Sequence, residues 1–151
     1  MKNRFELEGT FGREHIVDVR RFTERLLASI PDPDLCSRMA IATHELFENS
    51  IKFSADGVSS LLVEIVRVPA LKIRIVTRNR AKPSDLSALQ KLDADLRQAT
   101  DTMALYVMLM KSTPDSRGGL GIGRVAAESE MRVTMTIDGN LVQISAETEA
   151  L

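Results

Sequence analysis

Cysteine is almost missing: Cys36 is the only one in 151 residues, so no disulfide can form within the chain. No His, Asp or Glu cluster surrounds that thiol in a metal-ligand pattern, and it reads as a small apolar residue. Long apolar runs are missing as well. The longest, near residues 103–110, is far below the roughly 20 residues that a membrane-spanning helix needs. The N-terminus Met-Lys-Asn-Arg-Phe-Glu-Leu-Glu has no hydrophobic signal-peptide segment, so the expected setting is the cytoplasm with no membrane partner. An excess of either charge is lacking too. With 20 Lys and Arg against 21 Asp and Glu, the formal net charge of -1 gives no electrostatic reason to expect nucleic acid. Repeats and low-complexity segments do not occur, and the length suits one domain over residues 1–151 with a sizeable core.

What is present alternates between two periodicities. Residues 4–9 place Phe5 and Leu7 on one side and charges on the other, which predicts a short half-buried strand ended by Gly9 or Gly12. Over residues 13–30, Ile16, Val19, Phe22, Leu26, Leu27 and Ile30 recur at helical spacing. Exposed apolar positions on this first helix would suit a homodimer. Pro31-Asp32-Pro33-Asp34 breaks it, and Asp34 or Pro33 is placed to start a second helix reaching about Ser54. Asp56-Gly57 reads as a stop, followed by strands over 61–68 and 71–77 joined around Pro69-Ala70. Ser84 or Asp85 then caps a helix through Leu86, Leu89, Leu92 and Leu96, and a further helix covers 103–110. After a polar loop over 111–119, residues 121–129 have the small side chains of a helix packed close to a neighbour. Strands at 131–137 and 141–145 flank Asp138-Gly139-Asn140, a hairpin signal. The expected order is β, α, α, β, β, α, α, α, β, β.

The stretch Ala-Thr-His-Glu-Leu-Phe-Glu-Asn-Ser-Ile-Lys-Phe-Ser, residues 42–54, carries the chemistry. Glu45, Asn49 and Lys52 are spaced four and then three residues apart, so a helix stacks them on one face. Leu35, Met39, Leu46 and Phe53 point in another direction, toward a core. A carboxylate can serve as a general base or orient an attacking oxygen, a carboxamide oxygen suits Mg²⁺, and an ammonium suits phosphate. A solvated polar stripe is the ordinary alternative for such a row taken alone. The second informative stretch is Arg117-Gly118-Gly119-Leu120-Gly121-Ile122-Gly123, where a loop turns into a helix. Glycines let the backbone approach a ligand, and free amides at a helix start attract anions. A hinge or tight helix packing would use the same residues.

Glu45-xxx-Asn49-xx-Lys52-Phe53 resembles the N-box of the Bergerat-fold ATPases, the superfamily of gyrase, the Hsp90 chaperones, histidine kinases and MutL. Gly118-Gly119-Leu120-Gly121-Ile122 resembles the second glycine box of that superfamily. Short length and arrangement are similar to bacterial anti-sigma-factor serine kinases of the RsbW and SpoIIAB type, and more so to SiaB-type protein kinases. As in the SiaB type, an Asn-x-x sequence ends the central hairpin and two helices precede the glycine box. The resemblance implies a two-layer α/β sandwich: a mixed, mostly antiparallel sheet with helices on one face and a nucleotide between sheet, N-box helix and lid. It implies ATP and Mg²⁺ as cofactors, with Glu45 as base or orienting carboxylate, Asn49 as Mg²⁺ ligand and Lys52 as phosphate contact. Gly118, Gly119, Leu120 and Gly121 would wrap the phosphates beneath a lid over 111–117, and Arg117 would then reach the γ-phosphate or simply be an exposed loop residue.

The sequence departs from the superfamily at one box. Where an Asp-x-Gly normally receives the adenine, residues 77–83 read Thr-Arg-Asn-Arg-Ala-Lys-Pro, and Asn79 offers a neutral, weaker acceptor than a carboxylate. The implied activity is a serine/threonine protein kinase that binds and phosphorylates a small partner, STAS-like or SiaC-like. The rival is a degenerate module that sequesters such a partner, or a sigma factor, without ATP turnover. A histidine-kinase catalytic domain is disfavoured because the chain begins and ends with strands of its own. His44, inside the N-box, and His15 read as structural, Met103, Met108 and Met110 as core or interface filler, and Glu48 as an ion-pair partner four residues before Lys52.

Overall fold

Strands and helices form where the two periodicities place them. The fold was obtained as a computed structural model that describes residues 2–112 and 119–148. In chain order the elements are β1 (Lys2–Thr10), α1 (Arg13–Leu27), α2 (Pro33–Lys52), β2 (Ser54–Val66), β3 (Lys72–Ala81), α3 (Pro83–Gln98), α4 (Thr102–Ser112), α5 (Gly119–Glu128), β4 (Met131–Asp138) and β5 (Leu141–Thr148). The type and order of these elements are those read from the sequence.

The strands form one sheet in the order β1-β2-β3-β5-β4, with helices over one face. All its ladders are antiparallel, so the mixed sheet expected from the resemblance is simpler than that. The reason is topological: α3 to α5 carry the chain across the sheet, β4 enters as the far edge, and β5 returns beside β3 in the opposite sense.

Alternation sets which side of each strand is buried. Leu61, Val63 and Ile65 of β2, Ile73 and Ile75 of β3, and Val142, Ile144 and Ala146 of β5 face the helices. Against them pack Ile16, Val19 and Leu27 of α1 and Leu35, Met39, Leu46 and Phe47 of α2. Phe47 is fully buried, its ring 5.3 Å from that of Phe11 in an edge contact, and a large-to-Ala change there would cost about 3–5 kcal/mol. The Asp56-Gly57 stop lies inside β2 as a bulge. The register breaks between Ser54 and Ser59, Gly57 takes φ +81, and the Asp56 carboxylate accepts from the Val58 amide at 2.9 Å. Gly139, at φ +61, makes the predicted turn between β4 and β5.

Among the described residues the other face of the sheet carries no helix, and it is organised by charge. One row crosses all five strands as Arg4, Glu64, Arg74, Glu147 and Arg132, alternating in sign. Glu64 is buried within it, 2.8 Å from the Lys2 ammonium and 3.7 Å from the Arg74 guanidinium. The Lys2 hydrogen bond, with the charges of Lys2, Arg74 and Arg4, holds the Glu64 carboxyl below its usual range against the opposing effect of burial. A carboxylate more acidic in the folded chain contributes stability above the unfolded value, about pH 4, and loses it as the pH falls through the folded value. Glu64→Gln is therefore expected to lower Tm near neutral pH and to converge with the wild type as the pH falls through the folded value. Thermal unfolding across that range checks this, and a Tm gap that widened on acidification would contradict it.

Candidate functional site

Helix α2 positions the polar row. Asp32 has extended backbone (φ -143) and caps the helix, its carboxylate accepting from the Leu35 amide at 3.0 Å, with Pro33 in the first turn. The cap thus lies at Asp32, not at the expected Asp34 or Pro33, because Asp34 is already inside the first turn and pairs with Arg38 four residues on. The helix ends at Lys52, two residues short of the expected Ser54. There the Phe53 amide donates to the Asn49 carbonyl at 3.1 Å and Ser54 opens β2.

The row is graded in exposure. The Glu45 side chain is 21 % exposed, Asn49 is 7 % exposed, and Lys52 at the helix end is open to solvent. The Lys52 ammonium lies 5.4 Å from the Phe53 ring centroid. Glu48 faces His44 at 3.3 Å, one turn back. Leu35, Met39 and Leu46 are buried on the core side, as their spacing predicts.

The structure brings the glycine box onto Glu45. A Cβ at Gly121, in the first turn of α5, would lie 2.9 Å from the second carboxylate oxygen of Glu45. Only a glycine leaves that oxygen in place. One turn further, Arg124 holds the other oxygen of Glu45 at 3.2 Å while its Nε donates to Glu128 at 2.9 Å. The hydrogen bond to Glu128 and the charges of Glu128 and Glu45 raise the Arg124 pKa further, against burial, so it is a fixed cation beside the carboxylate. Gly123, on the other side of α5, is pressed against α4: a Cβ there would meet Leu109 Cδ1 at 2.8 Å. The small residues of this helix serve two close approaches at once.

Asn79 of β3 is also joined to the end of α2. Its side-chain N–H donates to the Phe53 carbonyl at 3.3 Å, tying the end of β3 to the residue after Lys52 and turning the carboxamide oxygen away from that bond. Leu120 is half-buried against the core, and Gly119 opens α5. Arg117 and Gly118, and the lid proposed over 111–117 beyond Ser112, lie outside the described residues.

Arg124 is the residue that sequence reasoning missed. Its signal was its position four residues before Glu128, an i,i+4 pair, and three after Gly121. Of the residues read as structural, His44 faces Glu48 through Nε2, and its buried Nδ1 has no hydrogen-bond partner among the described residues. His15, expected to be without a partner, accepts the Gly12 amide at 2.9 Å and helps start α1. The Cys36 thiol donates to the Leu27 carbonyl at 3.1 Å, and burial, with Asp32 nearby, pushes its pKa up, which keeps it in the unreactive thiol form. Among the described residues no cluster of three or more His, Cys, Asp or Glu could hold a metal.

Substituting Gly121 separates local stability from the site. In Gly121→Ala the new methyl meets the end of a flexible carboxylate, and alanine is the better helix former by about 1 kcal/mol. Thermal unfolding should shift little, while the displaced Glu45 carboxylate loosens its hold on Arg124, a change that the nuclear magnetic resonance signals of the arginine side-chain N–H groups would register. A large loss of Tm would mean that the carboxylate cannot give way.

No family model matches this chain, and no curated protein sequence does. Among solved structures, the crystal structure of the SiaB-SiaC complex from Pseudomonas aeruginosa contains a chain of similar fold. The TM-score is 0.67 at 14 % identity, over 95 % of this chain and 88 % of that one. At that identity the likeness is one of architecture: the chain has the SiaB-like fold, a helix-covered antiparallel sheet.

Proposed function

We propose that this protein is an ATP- and Mg²⁺-dependent serine/threonine kinase that binds and phosphorylates a small regulatory protein, STAS-like or SiaC-like. The observation that carries the reading is the seating of the first turn of α5 against the Glu45 carboxylate, the first member of the polar row on α2. The donor set fits the group. Asn49, with its hard amide oxygen, would hold Mg²⁺, and Lys52 with the first-turn amides of α5 would hold phosphates. Asn79 would receive the adenine amino group through its carboxamide oxygen. Bound Mg-ATP would supply the transferable phosphoryl group and neutralise its charge.

The rest falls to the chain. Glu45 orients the incoming hydroxyl and accepts its proton, and Arg124 fixes the carboxylate in one rotamer through Oε1. At a side chain 42 % exposed, that ion pair contributes under about 1 kcal/mol to folding, so its effect is on position. The neighbouring fold comes from a complex of two proteins, which supports a protein partner here. The second reading, a module that sequesters its partner without turnover, is favoured by the neutral Asn79 in place of a carboxylate and by the use of its N–H on the Phe53 carbonyl.

Calorimetry with ATP, with and without Mg²⁺, on the wild type and Asn49→Ala separates the two. Metal-dependent binding lost in the variant is the kinase outcome. No heat at about millimolar ATP would leave the sequestering module. With a phosphorylatable partner in hand, Glu45→Ala is expected to abolish transfer while sparing nucleotide binding, and full transfer by that variant would refute the role of Glu45.

A further inference from the structure

Strand β1 is an edge of the sheet, paired with β2 on one side and open along the other. An open edge normally invites promiscuous pairing, and charges are the usual defence. Here the charges have an order. On the helix-free face β1 presents Lys2, Arg4, Glu6 and Glu8, two cations followed by two anions.

Two copies of β1 running antiparallel about a two-fold axis can meet only in registers that keep like faces together. Centred on Phe5, Lys2 lies opposite Glu8 of the second copy and Arg4 opposite its Glu6, so all four charges find the opposite sign. Shifted by one step in one direction, Arg4 meets Arg4; in the other, Glu6 meets Glu6. The central register alone is free of like pairs.

The helix side of the same edge agrees. Phe5 and Phe22 of α1 stack at 4.3 Å between ring centroids, yet Phe22 remains 43 % exposed. In the central register Phe5 sits directly opposite its copy, so two such ring pairs would meet at the seam. In the single chain the Arg4 guanidinium turns back to Glu6 two residues along the strand, 3.1 Å away and exposed. That contact has an intermolecular counterpart of the same chemistry.

We propose that β1 of one molecule pairs antiparallel with β1 of a second copy about Phe5, joining two five-stranded sheets into one continuous sheet with both helix layers on the same side. This seam gives the homodimer suggested by the exposed face of α1 a defined register, and it stands whether or not ATP is turned over.

The test is a charge swap read by sedimentation equilibrium over a concentration series. The wild type is expected to dimerise. Glu6 faces uncharged Leu62 within its own sheet, so Glu6→Arg leaves that sheet's pairing intact. It should raise the dimer Kd at least about tenfold, because the introduced guanidinium would lie against Arg4 of the second copy across the seam. Arg4→Glu should do the same, with circular dichroism as a fold control because Arg4 also faces Glu64. The double variant Arg4→Glu/Glu6→Arg should recover the dimer, and an equimolar mixture of the two single variants should form a heterodimer in preference to either homodimer. Arg132→Glu on the opposite edge, β4, should leave the equilibrium unchanged. A wild type that stays monomeric, or a dimer indifferent to Glu6→Arg and weakened by Arg132→Glu, overturns the seam.

Discussion

The carboxylate of Glu45 is the point on which the arrangement of the helices depends. One oxygen rests against the backbone of α5 where no side chain fits, and the other is held by Arg124 one turn along the same helix. Neither contact is strong by itself: the ion pair is half-open to water, and the approach at Gly121 is a matter of missing volume. Together they fix the distance and rotation between α2 and α5. Arg38 fastens the same two segments further along, reaching from α2 to the Ser129 carbonyl and the Glu130 carboxylate beyond α5. At Gly123 the same helix is also pressed onto α4, so α5 is held closely on two sides.

Much of this was legible in the sequence because it rests on period and on backbone rules. Alternation in β1 to β5 and the helical spacing of Ile16, Val19 and Leu27 report local geometry directly, and Gly139 marks its turn because its backbone takes a positive φ. The stacking of Glu45, Asn49 and Lys52 on α2 is of the same kind. The Asp56-Gly57 pair was legible as a break but not as a bulge, since the same residues stop a helix or kink a strand. Contacts between distant elements were another matter. Arg124 meets Glu45 across 79 positions of sequence, and nothing local distinguishes it from the exposed arginines around it. The capping of α1 by His15 was hidden for a different reason, since a ring nitrogen three residues into the helix lies outside the usual Glu and Gln that reach back to the cap amide.

The comparison with a solved complex at 14 % identity fits this division. Burial patterns and element order survive at such distances because many side chains satisfy them, whereas a site depends on particular groups. The chain places a polar row on α2 and glycines in α5, and ties Asn79 of β3 to the residue that follows α2 through the side-chain N–H.

The one-sidedness of the helix layer has a consequence for mutational mapping. Residues on the bare face pair across strands, Arg74 with Glu64 and Glu147 and Arg78 with Gln143, on the side of the sheet away from α2. A deep mutational scan should therefore separate into two sets along each strand, with a period of two. Substitutions at one parity would change abundance in proportion to lost charge pairing, and those at the other would act through packing beneath α2. Away from the bulge in β2, where the two faces exchange parity, the parity of a position within a strand would then predict which assay registers the change.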